Sequence, residues 1–241
     1  MIQENEILDA IVSEKNKYGF EIIEDTTHSI FTKSRTIGDY CVCSLRKWFP
    51  VTDGGVLYSY QGLKDIYVQD IPVKEPLERL TAMLLKKLYI DGKLDCNDLY
   101  REIFIREEEK LDQLDRVYQI SDISRSLLKY FSVSDLISKR IENYGIVYET
   151  LCCKSMNVLP KCKEMVPLVC PVYIEDRDKF RNYLINNHVY CAVHWPLEEP
   201  ELYFNEETVY VSKHIISLPI DQRYDRKHMD YLCTLVKEYV S

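Results

Sequence analysis

Glycine is scarce, at 7 of 241 residues, and so scattered that no phosphate-cradling loop is formed. GxGxxG, GxxxxGK[ST], GxSxG and HExxH are all missing, which sets aside dinucleotide-fold, P-loop, serine-elbow and zincin chemistry. No apolar run approaches the roughly 18 to 20 residues needed to cross a bilayer. The start, MIQENEILDA, lacks the basic-then-apolar pattern of a signal peptide, so a cytoplasmic chain is expected. Basic charge is also short: 31 Lys and Arg against 39 Asp and Glu give a net charge of -8. General nucleic-acid binding, which needs a cationic footprint, is not expected. No stretch is rich in Ser, Gln, Pro or Gly, so a low-complexity chain is excluded. The cysteines number 9, an odd count too low for a disulfide scaffold, and nine free thiols are expected.

What is present is an ordinary globular composition, 46% hydrophobic and 29% charged. At roughly 150 residues per domain this length predicts between one and two domains, read here as one body of two lobes. A helix over Glu4–Lys17, with Ile7, Leu8, Ile11 and Val12 on one face, should end at Gly19. Strands follow at Phe20–Glu24, Tyr40–Ser44 and Val56–Tyr60, the last after the Asp53-Gly54-Gly55 turn. From Glu75 to Leu151 the period is helical. Leu77, Leu80, Leu84 and Leu88 line one face between Pro76 and Gly92, and a later helix starts on the spacing Ser132-x-x-Asp135. Alternation returns with a strand Val166–Ile174, a helix Asp176–Asn187, strands Val189–Val193 and Ile215–Leu218, and a helix Arg226–Val240. Cys152–Lys163 is the expected lobe boundary.

A metal site is not expected, because Cys41-x-Cys43 and Cys152-Cys153 lack the spacing that lets two sulfurs share one ion. Cys41 and Cys43 alternate about Val42 and should pack on one strand face. The acidic stretch Arg106-Glu107-Glu108-Glu109-Lys110 reads as the solvated face of a helix. The informative pair is Asp25 and Lys47, each just beyond the C-terminal end of a strand, where open α/β sheets bind ligands. A lysine amine and a carboxylate there suit pyridoxal phosphate: the amine holds the cofactor as a Schiff base and the acid keeps the pyridine nitrogen protonated. The bland alternative makes Lys47 a solvated loop lysine and Asp25 a helix N-cap.

IIEDTTHS at 22–29 and GDYCVCSLRKWFPVTDGG at 38–55 resemble the cofactor region of the DegT-type sugar aminotransferases. PVYIEDRDKFRNYLINNHVYCAVHWPL and the later SLPIDQRY resemble small-domain segments of that family, in the same order. The resemblance implies an α/β fold with part of the fold-type I large-domain sheet at 1–75, a helical connection at 76–151 and a small α/β domain at 152–241. It implies that Lys47 is the cofactor-holding and catalytic lysine and Asp25 the partner of the pyridine nitrogen. Ser44 becomes a phosphate ligand, and His28 a neighbour of the ring oxygen, though a loop-capping histidine also fits. Arg46 and Trp48 flank the lysine as packing residues. In the second lobe His194 and Arg223 are candidate substrate contacts. For the His194-Trp195-Pro196 run the alternative is a packing corner, and for Arg223 a surface pair with Asp221 or Asp225.

The family pattern also implies a relative shortened at its N-terminus. What precedes the Asp-bearing strand in the family supplies further strands, a phosphate-anchoring helix N-terminus and a ring-stacking aromatic. Exposed edges and apolar faces would then need cover from a homodimer partner or another chain. Two functions follow from the resemblance. One is a pyridoxal phosphate-dependent aminotransferase moving an amino group from an amino-acid donor to a keto sugar nucleotide, in polysaccharide or secondary-metabolite assembly. The other is a catalytically inactive relative acting as a binding or assembly partner.

Overall fold

The computed structural model describes residues 2–33, 35–114, 116–153, 157–158, 164–197 and 205–240. They fall into two compact units, 1–30 with 35–131, and 31–34 with 132–241. The expected boundary at Cys152–Lys163 lies largely outside the described residues.

The first unit opens with helix α1 (Ile2–Tyr18), and three strands follow: β1 (Ile23–Asp25), β2 (Tyr40–Ser44) and β3 (Gly55–Tyr58). Gly19 closes α1 in the left-handed conformation at φ 71°. β2 is central. It runs parallel to β1, with Asp25 opposite Val42, and antiparallel to β3, with Ser44 opposite Gly55. Strict alternation along β2 buries Cys41 and Cys43 together, as expected of small apolar residues, beside Trp48, Phe49 and Val51. A 3-10 turn, Leu45–Lys47, follows β2 directly.

Helices α2 (Lys74–Ile90), α3 (Asn97–Asp112) and α4 (Asp122–Leu128) complete this unit. Here the structure adds to one expectation and corrects another. Of the four leucines on one face of α2, Leu77 is 45%, Leu84 58% and Leu88 37% exposed, while Leu80 is half-buried. The acidic run of α3 is not simply a solvated face, because Glu107 is 6% exposed. α2 and α3 meet instead through Ala82, fully buried, and a charged seam in which Lys110 Nζ lies 2.8, 2.6 and 2.7 Å from Glu75, Glu78 and Glu107. An amphipathic period shows that two faces differ but not which one a neighbour covers, and here opposite charges 32 and 35 residues apart decide it.

α4 is tied to the turn before β3 through Asp53. Its carboxylate accepts hydrogen bonds from the Ser121 backbone at 2.7 Å, the Ser121 hydroxyl at 2.6 Å and the Thr52 hydroxyl at 2.8 Å, with Ser124 Oγ also donating. Burial raises the Asp53 pKa, but these donors outweigh it and hold the group below its usual value. The contribution is therefore present above the unfolded carboxylate pKa of about 3.9 and lost as pH falls through the lower folded value. Asp53→Ala should cost about 2–3 kcal/mol in urea denaturation at pH 7, because four donors lose a charged acceptor. The gap between variant and parent should close below the folded pKa; a gap constant down to pH 2 would contradict this account.

The second unit holds α5 (Val133–Cys153), β4 (Asn157–Val158), β5 (Cys170–Tyr173), α6 (Arg177–Asn186), α7 (Glu206–His214), β6 (Ile215–Leu218) and α8 (Arg226–Tyr239). Its sheet is antiparallel in the order β4-β5-β6. Met229, Leu232, Cys233, Leu235 and Val236 of α8 recur at helical spacing and are buried against Val147, Leu151 and the sheet. Ser132 caps α5 as its spacing predicts, accepting from the Asp135 backbone at 3.3 Å. The expected strand at Val189–Val193 reduces to a single bridge, Ala192 to Ser217. α7 was not anticipated, although Asn205, which accepts from the Thr208 backbone at 2.7 Å, followed by Glu206 and Glu207, is a helix-start signal. The seven cysteines whose state is described are free thiols, and no helix among the described residues is long and apolar enough to cross a membrane.

Candidate active site

β1 ends on Asp25, and β2 passes straight into the 3-10 turn that carries Lys47. Parallel pairing of β1 with β2 brings both C-terminal ends to the same edge of the sheet. Two threonines then bind the loop after Asp25 to the turn. The Thr26 backbone and hydroxyl donate to Val42 O at 2.8 and 3.0 Å, and the Ser44 backbone donates to Thr27 Oγ1 at 3.0 Å. Trp48, 1% exposed, donates its indole N–H to Thr27 O at 2.5 Å. Trp48 is therefore the peg that holds the neighbouring lysine's turn against the acid's loop, beyond the packing role expected of it.

The turn closes on glycine. Leu45 N donates to Gly54 O at 3.1 Å, and Gly54 sits at φ 114° where a Cβ would meet Ile120 Cδ1 at 2.6 Å. A side chain there would face both a strained backbone and a clash, so the first glycine of DGG is the one this turn requires.

Asp25 Oδ1 accepts the Thr27 backbone N–H at 2.8 Å. Hydrogen bonding from Thr27 outweighs burial, with nearby His28 adding to it, and holds Asp25 below the usual carboxylate range. His28 is half-buried, and desolvation first, then the charge of Lys47, lower its pKa against the opposing pull of Asp25. His28 is thus within electrostatic reach of both Asp25 and Lys47. Lys47 is exposed and forms no ion pair among the described residues. The Ser44 side chain makes no capping bond to the turn.

Asp25 and Ser44 lie on the wall of a cleft of about 790 Å³, with Arg46, Gly54, Gly55 and Arg79. Lys47 and His28 are not among the residues lining this cleft. An acid held in its ionised form, an uncapped serine hydroxyl and an exposed lysine amine on the adjoining turn are the types of group that pyridoxal phosphate needs, so their chemistry fits that cofactor. Asp25 would hold the pyridine N–H, Lys47 the aldehyde carbon and Ser44 the phosphate.

Four of the six expected site residues, Asp25, His28, Ser44 and Lys47, belong to the first unit, while His194 and Arg223 belong to the second. His194 Nδ1 lies 2.9 Å from Ser217 Oγ. Trp195 is 67% exposed and so is not the buried corner that the adjoining Pro196 suggested. Arg223 forms a two-pronged pair with Asp221, at 2.7 and 2.8 Å. Sequence reasoning passed over Arg79 and took Glu108 for part of a solvated face: Arg46 Nη1 lies 2.7 Å and Arg79 Nη2 2.8 Å from the same Glu108 Oε1. No local pattern announces that convergence.

No family model matches the sequence, and no curated protein matches it. Solved structures do match in three dimensions. A DegT DnrJ EryC1 StrS aminotransferase from Brucella abortus is 14% identical over 97% of this chain and 61% of its own, with a TM-score of 0.58. DesI, solved in the presence of its TDP-sugar product, is 14% identical over 97% and 59%, at 0.61. The ntda protein from Bacillus subtilis with bound cofactor PMP is 13% identical over 97% and 53%, at 0.61. The chain spans between half and two thirds of the length of these structures. Over that span it has the fold of the DegT-type, fold-type I aminotransferases.

Proposed function

We propose that the chain acts as a pyridoxal phosphate-dependent aminotransferase, taking an amino group from an amino-acid donor and delivering it to a keto sugar nucleotide. The observation that carries this reading is the Thr27–Trp48 clamp, which joins the loop after Asp25 to the turn of Lys47. When bound, the cofactor supplies an electron sink for negative charge developing on the substrate carbon. Asp25, kept ionised by Thr27, holds the proton on the pyridine nitrogen. His28, whose lowered pKa leaves it neutral at pH 7, meets the ring oxygen. Lys47 Nζ would hold the cofactor, and as a free amine it would take and return the proton at the donor's α-carbon. His194 and Arg223 remain proposed substrate contacts of the second unit, Arg223 through a guanidinium now paired with Asp221. The fold shared with DesI, whose structure was solved with its TDP-sugar product, supports the choice of acceptor.

One observation favours the second reading, an assembly partner without catalysis: the outward leucines of α2 form an apolar stripe that a second copy or another chain would cover. The deciding experiment mixes the purified chain with pyridoxal phosphate, records the visible spectrum, reduces with borohydride and maps the modified lysine by mass analysis. A single adduct on Lys47 is the expected result. Scattered labelling of surface lysines, or none, would reject a working cofactor site in this chain.

A further inference from the structure

The cleft wall carries a charge imbalance that the proposed chemistry does not use. Arg46 and Arg79 are only 22% and 17% exposed at their side chains, and both point at one oxygen of Glu108. Arg79 is further fixed by Phe104, whose ring centroid lies 5.4 Å from its guanidinium carbon. Glu108 is the opposite case, 53% exposed and free to swing into solvent. Two guanidiniums of low exposure therefore share one displaceable carboxylate, leaving a formal excess of one positive charge.

The other charges on this seam do not cancel that excess. Glu75, Glu78 and Glu107 face Lys110, and Glu78 also faces Lys74 and Arg106 at 3.5 and 3.7 Å, so three carboxylates meet three cations. Asp53 is taken up by Thr52, Ser121 and Ser124. Asp25 is the one remaining carboxylate on the cleft wall, and it lies by the end of β1. Guanidiniums crowded together with too little counter-charge are costly unless a dianion completes them. Desolvation and the charge of Arg46 lower the Arg79 pKa, which agrees with that crowding.

We infer that Arg46 and Arg79 form a binding site for a phosphoryl or diphosphoryl group, with Glu108 as the internal stand-in that such a group displaces. Two planar forks around one point match the oxygens of a phosphate better than a single carboxylate oxygen does. The cleft also offers the Ser44 hydroxyl and the Gly54–Gly55 backbone on its wall. A phosphate monoester on the cofactor and the diphosphate of a nucleotide sugar share this chemistry, and the test separates them.

The measurement is titration calorimetry of the full chain with inorganic pyrophosphate, which requires no adduct at Lys47, so the inference stands or falls apart from the cofactor reading. Arg46→Gln and Arg79→Gln should each weaken binding about tenfold or more, the worth of one charged hydrogen bond. Glu108→Gln should tighten it severalfold, because the competitor loses its charge; a purely structural Glu108 would give no gain. Absence of pyrophosphate binding at millimolar concentration, arginine variants that bind as the parent does, or a folded Glu108→Gln chain that binds no tighter would each overturn the proposal. If circular dichroism shows Glu108→Gln unfolded, the two arginine variants decide. Competition then names the source: displacement by pyridoxal phosphate but not by pyridoxal marks the cofactor, and stronger displacement by UDP marks the nucleotide.

Discussion

A Lys47→Ala chain incubated with pyridoxal phosphate and borohydride should carry no specific adduct, while its urea midpoint stays within the range set by about 0.5 kcal/mol of the parent. The two halves of that expectation have separate grounds. Loss of the adduct follows from chemistry, since Lys47 is the lysine whose charge acts on His28, which in turn feels Asp25. Unchanged stability follows from structure, since Lys47 is exposed and holds no ion pair among the described residues. Mass analysis reads the first and denaturation the second. Adduct formation at the parental level on some other lysine would remove Lys47 from the mechanism, and a large loss of stability would show that the turn depends on it.

Trp48→Ala should be the most damaging single change in the first unit, at about 3–5 kcal/mol by urea denaturation. That unit keeps few large side chains fully from water, and Trp48 heads them at 1% exposure. Removing the indole opens a cavity and also withdraws the N–H that holds Thr27 O. Trp48→Phe separates the two contributions, since it keeps most of the ring volume and loses the donor at a cost of about 1–2 kcal/mol. It should also slow adduct formation at Lys47, because the acid's loop is no longer pinned to the lysine's turn. Alanine and phenylalanine variants within 1 kcal/mol of the parent would mean that the clamp does not hold this unit together.

Much of the candidate site was legible because it is made of short-range features. β2 was read at its observed ends, and β1 was displaced by a few residues, which makes Asp25 the last residue of its strand rather than the first beyond it. The DGG turn and the alternation of Cys41 with Cys43 are likewise local. The charged seam was misread for the opposite reason. Glu107 and Glu108 look like any solvated acidic run, and their surroundings change where Arg46 and the α2 side chains Glu75, Glu78 and Arg79 meet α3.

The sequence by itself determined the α/β alternation, the strands of the first sheet and the placing of Asp25 and Lys47 at strand ends, since period, turn chemistry and capping act over a few residues. Tertiary structure alone decided that α2 meets α3 through charged side chains and leaves most of its leucines exposed, that Trp48 locks Thr27, and that Arg46 meets Glu108 across 62 residues. Each of these depends on which surfaces meet, and a charge or an apolar face has the same local pattern whether a neighbour covers it or water does.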